Sequence, residues 1–279
     1  MSDLFSSIRN HSDVPMVRMN VYGTDGIGKT TMAAGAPRPI LIDAEDGAKY
    51  IKVDKFPVCV VYDDVIDAID ELAKQPHNYK TVVLDTTDAV ERLCQDEVKQ
   101  RHNIDSIEKL TYGKGFVESS ELFANILRKL EALSLEKSMH IILLSHVQIR
   151  VFSDPEREPY DRYEMNTHRR ISSLIRSWVD FNFFANHEIT TVKSGDGFKQ
   201  TTRGVSYSDN RYLFTQRTAA YDAKSRLALD KKIPLSWAAF IAECKGVAKK
   251  AADAAKKEAA EAANTLKETS PSQEETTNG

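Results

Sequence analysis

The chain has 279 residues, of which 41% are hydrophobic, so it is long enough to bury a substantial core in one large domain with an appendage. A net charge of -3 and a pI near 6.2 exclude a uniformly basic protein that coats nucleic acid by charge alone, so any nucleic-acid site must be a local patch. The three cysteines lie far apart and form no C-x-x-C pair, which argues against a zinc site or a disulfide framework.

The composition also predicts how the chain is divided. We expect a flexible leader at 1–14, a folded domain at 15–242, and an alanine-, lysine- and glutamate-rich helix with a disordered tail at 243–279. The leader lacks a signal-peptide core, and no apolar run approaches the length that crosses a membrane. The expected location is therefore the cytoplasm, with no membrane partner.

The first predicted strand, 17–22, runs directly into a glycine-rich loop. The loop reads Gly23-Thr24-Asp25-Gly26-Ile27-Gly28-Lys29-Thr30 and fits the phosphate-loop pattern G-x-x-x-x-G-K-[ST]. Glycines let backbone N–H groups close around phosphate oxygens, Lys29 supplies charge for the β and γ phosphates, and the Thr30 hydroxyl suits Mg²⁺. A helix from Lys29 adds its positive dipole end. The loop, together with Thr31, predicts binding of ATP and Mg²⁺; a glycine turn before a surface helix is the alternative.

Strands and helices alternate after this loop. Strands are predicted at 40–43, 58–61, 81–85 and 141–145, and helices begin near 64, 87 and 116. Regular alternation is typical of an α/β fold whose mostly parallel central sheet is covered by helices on both faces and binds ligands at the carboxyl ends of its strands.

The later part of the chain is less regular. Segment 150–170 carries five acidic residues, five basic residues and two prolines, which predicts a mobile loop. Segments 179–185, 189–193, 198–203 and 211–217 read as strands, and we expect antiparallel additions at the C-terminal side of the sheet.

Two acidic residues at strand ends are candidates for chemistry. Asp85 ends an apolar strand, as does the Walker B aspartate that orders Mg²⁺, although a helix-capping role is the alternative. Glu45 follows the strand at 40–43 and could polarise the attacking water, a role for which Asp43 and Asp46 compete.

Two short segments of the chain resemble segments of a known family. Ile42-Asp43-Ala44-Glu45 is similar to the strand-end segment of RecA recombinases, whose glutamate activates water. Ser145-His146-Val147-Gln148-Ile149-Arg150 combines the Ser-His-Val of RadA-like proteins with the Gln-Ile-Arg that RecA carries before its DNA-binding loop. From about residue 15 to 230 the chain resembles phage-encoded RecA-like P-loop ATPases of recombination and single-strand annealing. The resemblance implies a RecA-like P-loop NTPase fold, with Glu45 activating water and either His146 or Gln148 sensing the γ phosphate.

The resemblance also implies a DNA-binding loop and a residue that acts in trans. The predicted DNA contacts are Arg150, Arg157, Arg162, Tyr163, Arg169 and Arg170. Because the acidic and basic counts of this segment are equal, an ordinary solvated loop is the alternative. A basic residue of a neighbouring subunit would complete the catalytic site, and Lys224, Arg226 and Arg217 are the candidates. Intrachain salt bridges are the alternative for those three.

Taken together, these features predict an ATP- and Mg²⁺-dependent ATPase. The resemblance implies that it assembles as a ring or filament on single-stranded DNA, promotes annealing or strand exchange, and works in the bacterial host cell. A single-strand-binding protein is a further candidate partner, and the tail is either a partner contact or a solubilising helix. Two other functions stay open: a small-molecule (nucleotide) kinase, and a non-catalytic ATP-binding annealing or adaptor module.

Overall fold

The computed structural model describes residues 16–156, 158–194 and 201–268. The predicted leader at 1–14, the predicted DNA contact Arg157 and the tail at 269–279 lie outside the described residues. Within the described ranges, no helix combines the length and apolar character that crossing a bilayer requires.

The structure consists of ten strands and six α-helices in the described residues. The strands are β1 (Arg18–Gly23), β2 (Pro39–Asp43), β3 (Asp54–Lys55), β4 (Thr81–Asp85), β5 (His140–Phe152), β6 (Tyr160–Met165), β7 (Phe181–Ser194), β8 (Thr201–Phe214), β9 (Lys224–Ser225) and β10 (Lys232–Pro234). The helices are α1 (Lys29–Ala34), α2 (Tyr62–Lys74), α3 (Thr87–His102), α4 (Lys114–Lys137), α5 (Arg169–Trp178) and α6 (Trp237–Glu268).

The strands form one sheet in the order β10-β8-β7-β1-β5-β4-β2-β3, with β6 paired to β5 and β9 to β7. The central pairs, from β7 across β1, β5, β4 and β2 to β3, are all parallel. β8 runs antiparallel to β7, and β10 runs antiparallel to β8. The predicted fold class is therefore confirmed: the α/β sheet is mostly parallel and gains antiparallel strands towards the C-terminal end of the chain.

Each face of the sheet carries its own hydrophobic core. On one face, α2, α3, α4 and α5 bury residues such as Ile69, Leu130 and Ile175 against alternate positions of the strands. On the other face, α1 and the start of α6 pack residues such as Met32 and Phe240 against the opposite positions. Because strand side chains alternate between faces, this two-sided burial accounts for the unbroken apolar runs of the central strands.

The predicted strand at 58–61 is wrong. The edge strand is instead β3, a two-residue segment that pairs in parallel with β2. The following chain stays extended beside β2, where the Cys59 N–H donates to the Asp43 carbonyl at 2.8 Å, but Val60 and Val61 are exposed. The apolar residues of this segment therefore do not form a buried strand.

The predicted mobile loop at 150–170 is also largely wrong. β5 continues to Phe152 and forms an antiparallel hairpin with β6, and α5 begins at Arg169. Ile171 and Ile175 of that helix are buried one turn apart, which is a periodic signal that the charged neighbours obscured.

Two features of the late strands differ from the prediction. The predicted strand at 211–217 ends at Phe214, and β7 joins the sheet parallel to β1 although we expected an antiparallel addition. The expected domain boundary between 242 and 243 falls inside α6, which begins at Trp237 and runs continuously to Glu268.

Candidate active site

The glycine-rich loop connects β1 to α1 at the carboxyl edge of the sheet. Gly26 and Gly28 have φ values of 73° and 104°, which glycine adopts without the penalty that a side chain brings. The buried Lys29 Nζ donates to the carbonyl oxygens of Gly23 at 2.9 Å and Thr24 at 3.2 Å. Burial lowers the pKa of this ammonium. The ammonium is thus held beneath the loop, within reach of any phosphate that the loop binds.

Gly23 is required for packing as well as for the loop pattern. A Cβ at this position would lie 2.2 Å from the backbone oxygen of Ala185 in β7. We therefore expect Gly23→Ala to lower the free energy of unfolding by about 1–3 kcal/mol, as measured by urea denaturation, because the two parallel strands must separate. Gly47→Ala is the matched control, since a Cβ there meets nothing within 4 Å. Equal stability of the two variants would contradict this packing.

Thr30 and Asp85 meet directly in front of this loop. The Thr30 hydroxyl donates to Asp85 Oδ2 at 2.7 Å. Burial, helped by the nearby carboxylates Asp43 and Glu45, raises the pKa of Asp85 to about 6, although the Thr30 hydrogen bond and the Lys29 charge act in the opposite direction. An aliphatic hydroxyl and a poorly compensated carboxylate form an oxygen-donor set that fits Mg²⁺. Thr30 and Asp85 would hold the ion beside the phosphates.

The three acidic residues at the end of β2 and just after it have different surroundings. Asp43 is buried and accepts hydrogen bonds from the N–H groups of Glu45 at 3.0 Å and Asp46 at 2.8 Å, so it shapes the turn. Asp46 forms ion pairs with Lys49 and Lys55. Of the three, Glu45 is the one whose carboxylate approaches His146 at the phosphate loop.

Glu45 belongs to a cluster of charged side chains at the entrance of the site. Asp88, in the first turn of α3, accepts hydrogen bonds from the His146 N–H at 3.0 Å and lies 3.0 Å from His146 Nδ1. His146 Nδ1 is 3.6 Å from Glu45 Oε1, and Nε2 is 3.4 Å from Asp25 Oδ1. Arg92 donates to Glu45 at 3.2 Å and lies 3.7 Å from Asp88. The cluster joins β2, α3 and β5 to the phosphate loop.

This cluster is an ion-pair network more than a second metal centre. Donor atoms of Glu45, Asp88 and His146 lie within 4.8 Å of one another. The hydrogen bond that the His146 ring donates to Asp88 raises the pKa of His146, and the Arg92 guanidinium lies beside Glu45 and Asp88. Because Arg92 and the His146 ring already contact these acidic groups, the cluster is better suited to hold Glu45 in position than to bind a metal ion.

The Asp88–His146 contact predicts a pH-dependent stability. A histidine whose folded-state pKa is raised contributes stability at low pH and loses it as pH rises through that pKa. Asp88→Asn should therefore cost about 1.5–3 kcal/mol in the free energy of unfolding at pH 6, and less at pH 8. Denaturant titration at both pH values measures this. Asp25→Asn is the control, because Asp25 is largely exposed and its contact with His146 is longer. An equal cost of Asp88→Asn at the two pH values would contradict the prediction.

The structure separates the two sensor candidates. His146 is the last β5 residue in register with β1, opposite Gly23, and its ring reaches the cluster around Glu45. Gln148 lies in the hairpin beyond the sheet, where its amide donates to the Met165 carbonyl at 3.1 Å. The geometry therefore favours His146 for contact with the γ phosphate.

The three candidates for a residue acting in trans all have intrachain partners. Lys224 Nζ donates to the carbonyl oxygens of Arg176, Ser177 and Val179 at the end of α5. Arg226 lies 3.1 Å from Asp180 at the opposite edge of the sheet, and Arg217 lies 3.9 Å from Asp222. Lys224 is thus engaged by the backbone, whereas the two arginine side chains are 56% and 63% exposed.

The predicted DNA-binding residues have unequal exposure. Arg162 is 3% exposed, lies 3.4 Å from Asp222 and stacks over Phe152, so a surface phosphate contact does not fit its position. Tyr163 stacks on Phe184 of the core. Arg150 donates to the Thr167 carbonyl, and Arg169 and Arg170 are exposed in the first turn of α5.

The structure adds three residues that the sequence patterns did not indicate. Asp88 and Arg92 lie one turn apart on α3. Their closeness in sequence to Asp85 was the only local sign that they could lie at the same site. Arg211, on β8, donates to the Ile27 carbonyl of the phosphate loop at 3.1 Å across 184 positions of sequence. That separation leaves no local signal for its role.

The comparisons with known proteins agree with this geometry at the level of family. A search of curated proteins found no match. A family model described as an AAA domain matches residues 16–227 of the 279, a range that includes the phosphate loop, Glu45, Asp85 and His146. The chain therefore belongs to the AAA domain family and carries an AAA-type P-loop ATPase domain.

Proposed function

We propose that this protein hydrolyses ATP in a Mg²⁺-dependent reaction and that single-stranded DNA stimulates it during recombination, by annealing or strand exchange. The observation that supports hydrolysis most directly is the 2.7 Å contact between Thr30 and Asp85 beside the buried Lys29. These are the groups that bind Mg²⁺ and the terminal phosphates in P-loop ATPases.

The residues around this contact have separate roles in the proposed reaction. Lys29 and the loop N–H groups bind and orient the β and γ phosphates, while Thr30 and Asp85 fix the metal side of the nucleotide. Mg²⁺, when bound, neutralises phosphate charge. Glu45 accepts a proton from the water that attacks the γ phosphate. His146, held by Asp88, lies close enough to Glu45 to orient its carboxylate and to respond when the γ phosphate departs.

The role of Glu45 predicts a separation of binding from hydrolysis. Glu45→Gln keeps the size of the side chain but cannot accept the proton, so we expect phosphate release to fall about 10²–10⁴-fold. ATP affinity, measured by calorimetry, should change little. Asp46→Asn is the control, since that carboxylate pairs with Lys49 and Lys55. Full activity of Glu45→Gln would remove Glu45 from the mechanism.

Support for the DNA part of the proposal comes from the RecA resemblance and from the position of Arg169 and Arg170. Both are exposed at the start of α5, next to His168, whose N–H donates to the buried Glu91 at 2.9 Å. Glu91 lies one turn after Asp88 on α3. Helix α3 therefore connects the start of α5 to the cluster around Glu45, which offers a route by which DNA binding alters the ATPase site.

The test of this part is phosphate release with and without a single-stranded oligonucleotide. We expect a higher rate with DNA in the wild type, and little increase when Arg169 and Arg170 are both changed to glutamine. A rate that is indifferent to DNA in the wild type would end the recombination proposal. Transfer of phosphate to an added nucleoside monophosphate instead of water would favour a kinase.

A further inference from the structure

A groove of about 500 Å³ lies at the amino ends of β1 and β7, at the edge of the sheet opposite the phosphate loop. The start of β1, the end of α4, the start of β7 and the segment after β9 line it. Val17 and Phe181 are buried in its wall, whereas Leu135 is 77% exposed and Met16 is 36% exposed beside them. Exposed apolar side chains that gather at a concave surface are typical of a site that another protein segment covers.

The charged side chains of the groove pair with one another. Arg18 lies 2.6 Å from Glu131 and 3.3 Å from Asp180, and Arg226 lies 3.1 Å from Asp180. All four residues line the groove. Because two arginines are matched by two carboxylates, the groove attracts neither anions nor cations strongly. Burial of apolar surface is therefore the main interaction that it offers.

The chain itself leads into this groove. Met16 lines it, and residues 1–15, which lie outside the described residues, directly precede Met16. That segment carries Leu4, Phe5 and Ile8 close together in sequence. An apolar segment is therefore tethered a few residues from an apolar groove.

The tether is long enough for the segment to turn back onto the groove. Seven residues separate Ile8 from Met16, and a stretch of that length spans up to about 25 Å when extended. A segment on so short a tether has an effective concentration on the order of millimolar at the groove. The same segment of a second copy, present at micromolar concentration, competes poorly with it. These lengths favour the groove of the same chain as the binding site.

We propose that residues 4–8 fold back over this groove in the same chain, with Phe5 in contact with Leu135. Leu4 and Ile8 bury the apolar surface that remains. The contact lies at the opposite edge of the sheet from the phosphate loop, so it is independent of the proposed reaction. The segment thereby closes the amino end of the domain.

Disulfide formation in the full chain tests this contact. The variant that combines Phe5→Cys with Leu135→Cys places one thiol on each side of the contact. The native thiols of Cys59, Cys94 and Cys244 are buried, so they compete little for oxidation. Oxidised glutathione is the oxidant, and each disulfide that forms reduces one molecule of it to two thiols.

The matched control adds Leu4→Ser and Ile8→Ser to the same two cysteines. It removes the apolar side chains but keeps the length of the tether, so chance encounters of the two thiols stay the same. Circular dichroism checks that both variants are folded. Mass spectrometry of unreduced peptides from separated monomer and dimer fractions measures where the disulfide forms and how fast.

We expect the 5–135 disulfide to form within monomers, at least tenfold faster than in the control that carries the two serines. Equal rates in the two variants would overturn the proposal, because the tether alone would then explain the disulfide. The absence of a 5–135 disulfide would overturn it as well. A disulfide that joins two chains would show that the groove takes the segment of a second copy instead.

Discussion

Lys29→Ala should reduce phosphate release from ATP at least about 10²-fold, because it removes the positive charge held beneath the phosphate loop. The loss includes ground-state binding, since the buried ammonium lies beside the loop carbonyls and a methyl group cannot replace it at the phosphates. Steady-state phosphate release and ATP calorimetry measure the two effects separately.

Lys74→Ala is the control for this variant. Lys74 is a largely exposed lysine at the end of α2, and its ion pair with Asp70 lies away from the phosphate loop. It should retain wild-type activity. Full activity of Lys29→Ala would contradict the assignment of the site, whereas a loss in both variants would indicate a general effect of removing a lysine.

Asp85→Asn should abolish hydrolysis and at the same time stabilise the protein in EDTA. Burial raises the Asp85 pKa from 3.8 to about 6, so holding the carboxylate ionised costs roughly 3 kcal/mol at pH 7. The cost appears as pH rises through this interval and is absent below it. Asparagine avoids the charge, and we expect a gain of about 1–3 kcal/mol in the free energy of unfolding.

Thermal unfolding in EDTA, at pH 7 and pH 4, measures this gain, which should be smaller at pH 4. Asp96→Asn serves as the control, because Asp96 is half-exposed on α3 and pairs with Lys99. Added Mg²⁺ and ATP should raise the unfolding temperature of the wild type more than that of Asp85→Asn. Lower stability of Asp85→Asn in EDTA at pH 7 would contradict the view that this carboxylate is held at a cost for its function.

The parts of the site that lie close together in sequence were predictable. The phosphate loop follows an apolar strand and carries its glycines, Lys29 and Thr30 within a few positions, because one turn must place all of them around a phosphate. Asp85 was recognisable as the polar end of a buried strand. Parallel pairing of the strands then brings Thr30 and Asp85 together, as the sheet order requires.

Choices between neighbouring polar residues were not predictable from the pattern. Asp43 ends β2, and Glu45 and Asp46 follow it directly. Only the turn geometry shows that Asp43 accepts hydrogen bonds from the backbone N–H groups of the other two. His146 and Gln148 are likewise two positions apart. They differ because β5 leaves the central sheet between them and continues as a hairpin with β6.

The hairpin and α5 were missed because their charges resembled those of a solvated loop. Arg150 stands opposite Arg162 in the hairpin, and Arg162 is nevertheless buried, beside Asp222 and over the ring of Phe152. Composition cannot reveal such compensation, since the partner lies 60 positions away in the chain. Arg211 escaped notice for the same reason, as its contact is with a loop formed at the other end of the domain.

The most direct test of the account is phosphate release from ATP in three reactions. The first contains the wild-type protein with Mg²⁺, the second contains the wild-type protein with EDTA, and the third contains the Glu45→Gln variant with Mg²⁺. The account predicts release with Mg²⁺ alone, and a rate that falls to background in EDTA and in the Glu45→Gln variant. Release that persists in EDTA, or equally in Glu45→Gln, would contradict the catalytic site built from Lys29, Thr30, Asp85 and Glu45.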